Sequence, residues 1–149
     1  MRTVPWVLLA SACAGSSPPD DLARADGVGV RSLGGSDGAV QLAVSVRSDE
    51  TGCGRYADWW EVLDPDGALI FRRILDHSHP DEQPFERDGG PVPIAADDGI
   101  VVRAHLLPVG YRGTAQQGSL SAGFEDVELP SGFAAGVEAL EPQPEDCLF

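Results

Sequence analysis

A run of strictly alternating side chains constrains the fold of this chain more than any other feature. In the segment Gly38–Ser48 every second residue is valine or leucine, namely Val40, Leu42, Val44 and Val46. Side chains of a β-strand point alternately to its two faces, so a period of two predicts a strand with one buried face. We therefore expect a sheet that covers a core on one side.

A β-hairpin follows this strand. The sequence Asp64–Gly67 reads Asp-Pro-Asp-Gly, in which Pro65 presets the first turn angle and Gly67 accepts a positive φ. Apolar and aromatic residues flank the turn on both sides, which predicts that the segment Trp59–Leu63 pairs with Ala68–Leu75.

Further short strands complete the pattern. The sequence predicts strands over Val92–Ala95 and Ile100–Leu107, and one or two more within Gly118–Leu129. The apolar face of Ile100–Leu107 consists of Ile100, Val102, Ala104 and Leu106. Short strands, frequent turns and no long amphipathic segment favour an all-β fold. We expect a single immunoglobulin-like antiparallel β-sandwich over residues 37–149.

The N-terminal residues are typical of an export signal. Residues 1–12 combine Arg2 with an apolar run too short to span a bilayer, which takes about 20 residues. Ser-Ala before Cys13 resembles the end of a bacterial lipoprotein signal, with Ala10 where leucine is usual. This predicts a lipidated Cys13 that contacts the membrane. The alternative is an ordinary secretory signal cleaved near Ala12 or Ala14. Residues 13–36 are expected to form a flexible tether.

Two more cysteines fit an oxidising compartment. Cys53 and Cys147 remain as a pair if Cys13 carries lipid, and we expect them to form a disulfide. It would close a loop of about 95 residues, which the chain-entropy model converts into roughly 4–5 kcal/mol of stabilisation.

The charge of the chain excludes some classes of function. The formal net charge is −14, and all ten basic residues are arginine. Such acidity argues against binding nucleic acid, whose phosphates would be repelled. Without lysine the chain also lacks Schiff-base chemistry.

Three histidines are candidate metal ligands. His77 and His79 project to one side of an extended backbone, and His105 lies on a predicted strand that could neighbour them. Such a set would suit Zn(II) or Cu(II). The alternative is that His77 and His79 are polar loop residues without a metal.

Other side chains are candidates for ligand binding. The loop that follows His79 is stiffened by prolines, and loops on a β-sandwich often carry binding sites. The candidates are Glu82, Phe85, Arg87, Arg103 and Tyr111. One of Arg72 and Arg73 is expected to form an ion pair with Asp58, Glu61 or Glu86.

Catalytic patterns are weak. Ser78 lies between two histidines, but neighbouring residues of a strand point apart, and the chain has no Gly-x-Ser-x-Gly elbow. We therefore rank a hydrolase below a binding protein and assign no catalytic residue.

Several segments resemble a family of uncharacterised bacterial exported proteins and lipoproteins. They are WEV at Trp60–Val62, RRILDHSHPDEQPF at Arg72–Phe85, GGPV at Gly89–Val92 and VRAH at Val102–His105. The resemblance implies export and a β-rich domain, and it brings no known activity.

These observations favour an exported, lipid-anchored, non-enzymatic β-sandwich module of the bacterial periplasm or cell surface. It is expected to bind an envelope protein, a glycan or a small ligand. The alternative is a Cu(II)- or Zn(II)-binding envelope protein, and a hydrolase is third.

Overall fold

A computed structural model describes residues 15–148 and shows a β-sandwich of two antiparallel sheets. The elements are β1 (Ala25–Ser36), β2 (Ala39–Ser48), β3 (Tyr56–Leu63), β4 (Leu69–Ile74), β5 (Phe85–Val92), β6 (Ile100–Leu107), β7 (Ala115–Ser119), β8 (Gly123–Val127) and a 3₁₀ turn (Val137–Ala139). One sheet has the order β1-β2-β5 and the other β4-β3-β6-β7-β8. The predicted all-β sandwich is confirmed, while its immunoglobulin-like topology stays a prediction. No helix within residues 15–148 is long and apolar enough to cross a membrane.

The main core lies between the two sheets. The predicted strand at residues 38–48 is confirmed as β2, and its alternating valines and leucine are all buried. They pack with the inward side chains of β6, which are those predicted: Ile100, Val102, Ala104 and Leu106. Trp60 and Phe85 are the largest fully buried side chains of this core. The period of two therefore placed the core residues of both strands correctly.

The interior strand β3, second in the five-stranded sheet, is buried on both faces. It pairs with β4 on one side, which confirms the predicted hairpin, and with β6 on the other. Ala57, Trp60 and Val62 belong to the core between the sheets. Leu63 belongs to a second, smaller core on the opposite face of the five-stranded sheet, together with Val137. A strand covered on both faces needs a third layer of structure.

This third layer is the C-terminal part of the chain, residues 129–148, which we call the strap. Apolar residues of the strap pack on the outer face of the five-stranded sheet; they are Leu129, Phe133, Ala134 and Val137. The predicted Cys53–Cys147 disulfide is present and joins positions 94 residues apart. Next to it, the Leu148 amide donates to the Asp76 carbonyl at 2.7 Å. In the chain-entropy model a loop of this length stabilises the fold by roughly 4–5 kcal/mol.

The predicted tether was too long. Residues 25–36 form β1, which pairs antiparallel with β2, and Ala23 and Ala25 are fully buried. The folded domain therefore begins before residue 37. The glycines of β1 and the exposure of its second half weaken the period-two pattern, which explains the error. Residues 1–12 and Cys13 lie outside the described residues, so the signal and the lipidation site stay predictions.

The segment before Val92 was also assigned wrongly. A strand was predicted over Val92–Ala95, but β5 ends at Val92 and begins at Phe85. Gly89 lets this strand cross a large side chain, because a Cβ at that position would lie 2.8 Å from the Trp60 ring. The glycine-rich sequence is typical of a loop, but it forms a strand in which the Trp60 ring leaves no room for a side chain at Gly89.

Candidate functional site

A buried cluster of charges lies under the strap. The Glu61 carboxylate accepts from Arg72 Nε and Nη2 at 2.9 and 2.7 Å and from Arg103 Nε at 2.8 Å. The three side chains are 0–6% exposed. The expected ion pair of Arg72 with an acid of the sheet is thus confirmed, and a second arginine shares the same carboxylate.

Strand register brings these residues together. Glu61 lies directly opposite Arg72 of β4 and directly opposite Arg103 of β6. All three side chains point to the outer face of the sheet, where opposite residues of neighbouring strands are in contact. The acid on the central strand therefore bridges the two arginines on its neighbours.

Arg72 links the cluster to the strap. It donates through Nη2 to the Val137 carbonyl at 2.8 Å and through Nη1 to the carbonyls of Leu140 and Pro142. Its guanidinium also lies 4.4 Å from the centre of the Trp59 ring. With all its nitrogens engaged, Arg72 is a structural residue that holds the strap on the sheet.

Arg103 is less well satisfied. Nη1 donates to the Phe133 carbonyl at a long 3.3 Å, and the buried Nη2 has no hydrogen-bond partner within residues 15–148. Its guanidinium lies 3.5 Å from the centre of the Tyr111 ring. The structure therefore brings together Arg103 and Tyr111, two of the predicted ligand-binding residues.

A cavity of about 430 Å³ opens beside this pair, between the β6–β7 connection and the strap. We call it the strap cavity, and its wall includes Arg103, Gly110, Tyr111, Arg112, Phe133 and Ala135. Trp59 Nε1 donates to the Tyr111 hydroxyl at 3.1 Å. Burial raises the pKa of Tyr111, and the negative charge of Glu61 acts in the same direction, so the hydroxyl keeps its proton at neutral pH.

His105 belongs to a separate arrangement on the same face. Its Nδ1 lies 2.6 Å from Asp58 and its Nε2 lies 3.1 Å from Glu138 of the strap. The imidazole stacks on Trp59 with the ring centres 3.9 Å apart. A groove of about 560 Å³ passes these residues. Nε2 faces a carboxylate instead of a hydroxyl, so His105 is not part of a Ser-His-acid triad.

The His77–His79 loop has structural contacts. The His79 amide donates to the buried Glu50 carboxylate, which also accepts from Ser48 Oγ at 2.7 Å and from the Ala57 amide at 3.1 Å. Gln83 Nε2 donates to the His79 carbonyl at 3.0 Å. The loop is therefore fastened to the connection between β2 and β3.

The His79 imidazole is itself buried. It stacks on Phe85 with the ring centres 4.2 Å apart, and the His77 ring lies 4.4 Å away. Burial lowers the pKa of His79 to about 4, and the charges of Arg87 and His77 act in the same direction. His79 is therefore neutral at pH 7.

The structure does not join the three histidines into one site. His77 and His79 are neighbours, whereas the described partners of His105 are Asp58 and Glu138. Within residues 15–148 no group of three or more histidine, cysteine, aspartate or glutamate side chains is arranged to hold a metal ion. The Zn(II) or Cu(II) site stays a prediction that this arrangement does not support.

The remaining ligand-binding candidates lie apart from the strap cavity. Arg87 pairs with Glu82 at 2.9 Å on the surface, and its guanidinium lies 5.6 Å from the Phe85 ring. Phe85 is 1% exposed and belongs to the main core. Of this group, only Glu82 and Arg87 could reach a ligand.

Sequence reasoning missed the strap as part of a site. Neither Glu138 nor Phe133 carried a signal, because both lie in a segment of low regularity far along the chain. The available signal was charge on a central strand, since Asp58 and Glu61 interrupt the aromatic and apolar run of β3. A buried acid requires partners, and those partners indicate what covers the strand.

Comparison with known proteins gives one informative relationship. A protein of Halomicrobium mukohataei named "Putative lipoprotein" is 33% identical over 126 residues, which cover 74% of this chain and 61% of that protein. The chain is thus a distant homologue that spans less than two thirds of the relative's length. No family model matches the chain, and no solved structure gives a significant match.

Removal of the central carboxylate should destabilise the fold strongly. In Glu61→Gln two buried arginines lose their shared counter-charge, which we expect to lower the free energy of unfolding by about 3–5 kcal/mol. Chemical denaturation measures the change. The matched control is Glu82→Gln, which breaks an exposed ion pair and should change the free energy of unfolding little. Equal losses in the two variants would contradict the role of the buried cluster.

Acid should weaken the fold through His79. Its pKa is 6.5 in the unfolded chain and about 4 in the folded protein, so the unfolded state binds more protons between these values. The free energy of unfolding should therefore fall as the pH drops from 6.5 to 4, by about 2–3 kcal/mol from this residue. Denaturation curves of wild type and His79→Gln across this range measure the difference. Parallel curves for wild type and His79→Gln would refute the assignment.

Proposed function

We propose that this protein is an exported, lipid-anchored, non-enzymatic module of the cell envelope that binds a small ligand in the strap cavity. The observation that carries the proposal is the cavity itself. Its volume of about 430 Å³ suits a small molecule, and a buried arginine and a tyrosine form part of its wall.

Export is supported by two independent observations. A disulfide between distant parts of the chain is typical of oxidising compartments outside the cytoplasm. The relative in Halomicrobium mukohataei carries the name of a lipoprotein. The Ser-Ala-Cys sequence that ends at Cys13 supplies the residue that lipid would modify.

An immunoglobulin-like topology is the finer assignment of the fold. The pairs β1–β2, β2–β5, β3–β6 and β6–β7 correspond to the A–B, B–E, C–F and F–G pairs of that fold. Trp60 is fully buried on β3, the strand that corresponds to C. β4 then takes the place of the added strand beside C, and β8 is an addition at the edge.

The contacts of His105 support binding over catalysis. Both nitrogens of its ring face carboxylates and one face of the ring is stacked on Trp59, so the imidazole has no free nitrogen for proton transfer to a substrate. The strap cavity lies beside Arg103 and Tyr111, which contact each other. We expect these two side chains to hold a ligand in position and not to activate it for a reaction.

A fragment screen tests the binding function. Small neutral and charged fragments are added to the isotope-labelled protein, and amide chemical shifts are followed by NMR. We expect the shifts from bound fragments to cluster at the wall of the strap cavity. Ala135→Phe should remove them by filling the cavity, whereas Ala139→Phe, on the wall of the groove beside His105, should leave them unchanged. Shifts that cluster at residues 77–91, or no fragment binding, would refute the proposal.

A separate experiment tests the anchor. The full chain is expressed with its N-terminal segment, and the membrane and soluble fractions are compared for wild type, Cys13→Ser and the neighbouring control Ala14→Ser. Wild type and the control should fractionate with the membrane, and Cys13→Ser should not. Mass spectrometry should find a diacylated Cys13 in wild type, and an unmodified Cys13 would refute the anchor.

A further inference from the structure

We propose that the ligand of the strap cavity is a small organic acid, whose carboxylate pairs with Arg103 and whose apolar body lies against Tyr111 and Phe133. The inference rests on the proposed binding function and names the class of ligand.

The first argument is the balance of charge in the buried cluster. Arg72 and Arg103 carry two positive charges, and Glu61, which bonds to both, carries one negative charge. The next carboxylates on this face, Asp58 and Glu138, are engaged by His105. Glu61 is therefore the only carboxylate among the described residues that bonds to either arginine, and a buried charge that shares its counter-charge is costly.

The second argument is which arginine has donors to spare. Arg72 uses Nε, Nη1 and Nη2 in hydrogen bonds to Glu61 and to carbonyls of the strap. Arg103 uses Nε well and Nη1 at 3.3 Å, and its buried Nη2 bonds to nothing within the described part of the chain. The free donor thus lies on Arg103, which shares its counter-charge with Arg72 and lines the strap cavity.

A second guanidinium lies on the same wall. Arg112 Nη1 donates to the backbone carbonyls of Asp20 and Asp21, at 3.2 and 2.9 Å, and these acceptors are neutral. Two arginines of a chain with net charge −14 therefore meet at one cavity while bonded partly or wholly to neutral oxygens. A guanidinium forms two parallel hydrogen bonds with a carboxylate, which fits this arrangement.

The other wall residues narrow the class of anion. The exposed carboxylates of Glu128 and Glu138 also line the cavity, and their charge disfavours a dianion such as phosphate. The guanidinium of Arg103 lies 3.5 Å from the ring centre of Tyr111 and 5.8 Å from that of Phe133. These rings offer apolar surface to the rest of the ligand, so a monoanion with an apolar body fits better than an inorganic anion.

Binding requires one local change. Nη2 of Arg103 is covered, and the contact of Nη1 with the Phe133 carbonyl is at the long end of the range for hydrogen bonds. Phe133 is only partly buried and lies in a turn of the strap. The carboxylate replaces the Phe133 carbonyl as the acceptor, and Phe133 moves aside to admit it.

Benzoate, benzamide and inorganic phosphate test this inference on the purified wild-type protein at constant ionic strength. NMR titration gives each dissociation constant. Benzoate should bind in the strap cavity, while benzamide, its neutral analogue, and phosphate should bind at least about tenfold more weakly. Arg103→Gln should abolish the preference for benzoate, and Ala135→Phe should abolish binding while Ala139→Phe does not.

The outcomes separate this inference from the binding function. Equal affinities for benzoate and benzamide, both blocked by Ala135→Phe, would overturn the acid and leave the cavity as a binding site. Tighter binding of phosphate, or no benzoate binding up to about 10 mM, would also overturn the acid. The comparison of probes uses wild type alone, so it decides the question even if Arg103→Gln does not fold.

Discussion

The structure depends on one carboxylate, Glu61, which lies on a strand that is buried on both faces. Two arginines on the neighbouring strands share this carboxylate. Glu61 lies on β3, between β4 and β6 of the five-stranded sheet, and its two oxygens accept from Arg72 and Arg103 on these neighbouring strands. Charges that are buried in this position need hydrogen-bond partners. The strap buries the cluster with apolar side chains, and it supplies backbone carbonyls that accept from the arginines.

The main role of this cluster is to fix where the strap lies on the sheet, and not to add stability. Buried ion pairs often contribute no more than well-packed apolar residues of the same volume, although removal of one partner is costly. The cluster fixes the position of the strap, because Arg72 donates hydrogen bonds to the backbone carbonyls of Val137, Leu140 and Pro142. The disulfide then holds the end of the strap near Cys53, and Glu50 fastens the His79 loop on the other side in a similar way.

The candidate site follows from the same arrangement. Every guanidinium nitrogen of Arg72 donates to Glu61 or to a carbonyl of the strap, whereas Nη2 of Arg103 has no hydrogen-bond partner within the described residues. The strap cavity opens beside Arg103, where Tyr111 covers one face of the guanidinium. The proposed binding would use a guanidinium that folding has already buried and oriented, which would lower the cost of ordering the site when a ligand arrives.

The sequence by itself determined the features that depend on neighbouring residues. Alternation at β2 and β6 placed their core side chains correctly, the Asp-Pro-Asp-Gly turn predicted the hairpin, and cysteine number and compartment predicted the disulfide. Tertiary structure alone decided the features that join distant parts of the chain. Whether a glycine-rich stretch is a strand depended on the Trp60 ring beside Gly89. The partners of Glu61 depended on strand register, and the remaining acceptors of Arg72 depended on a strap about 70 residues later. The backbone amide of His79 holds its loop to Glu50, and burial keeps the His79 imidazole neutral; the sequence displays neither of these tertiary contacts.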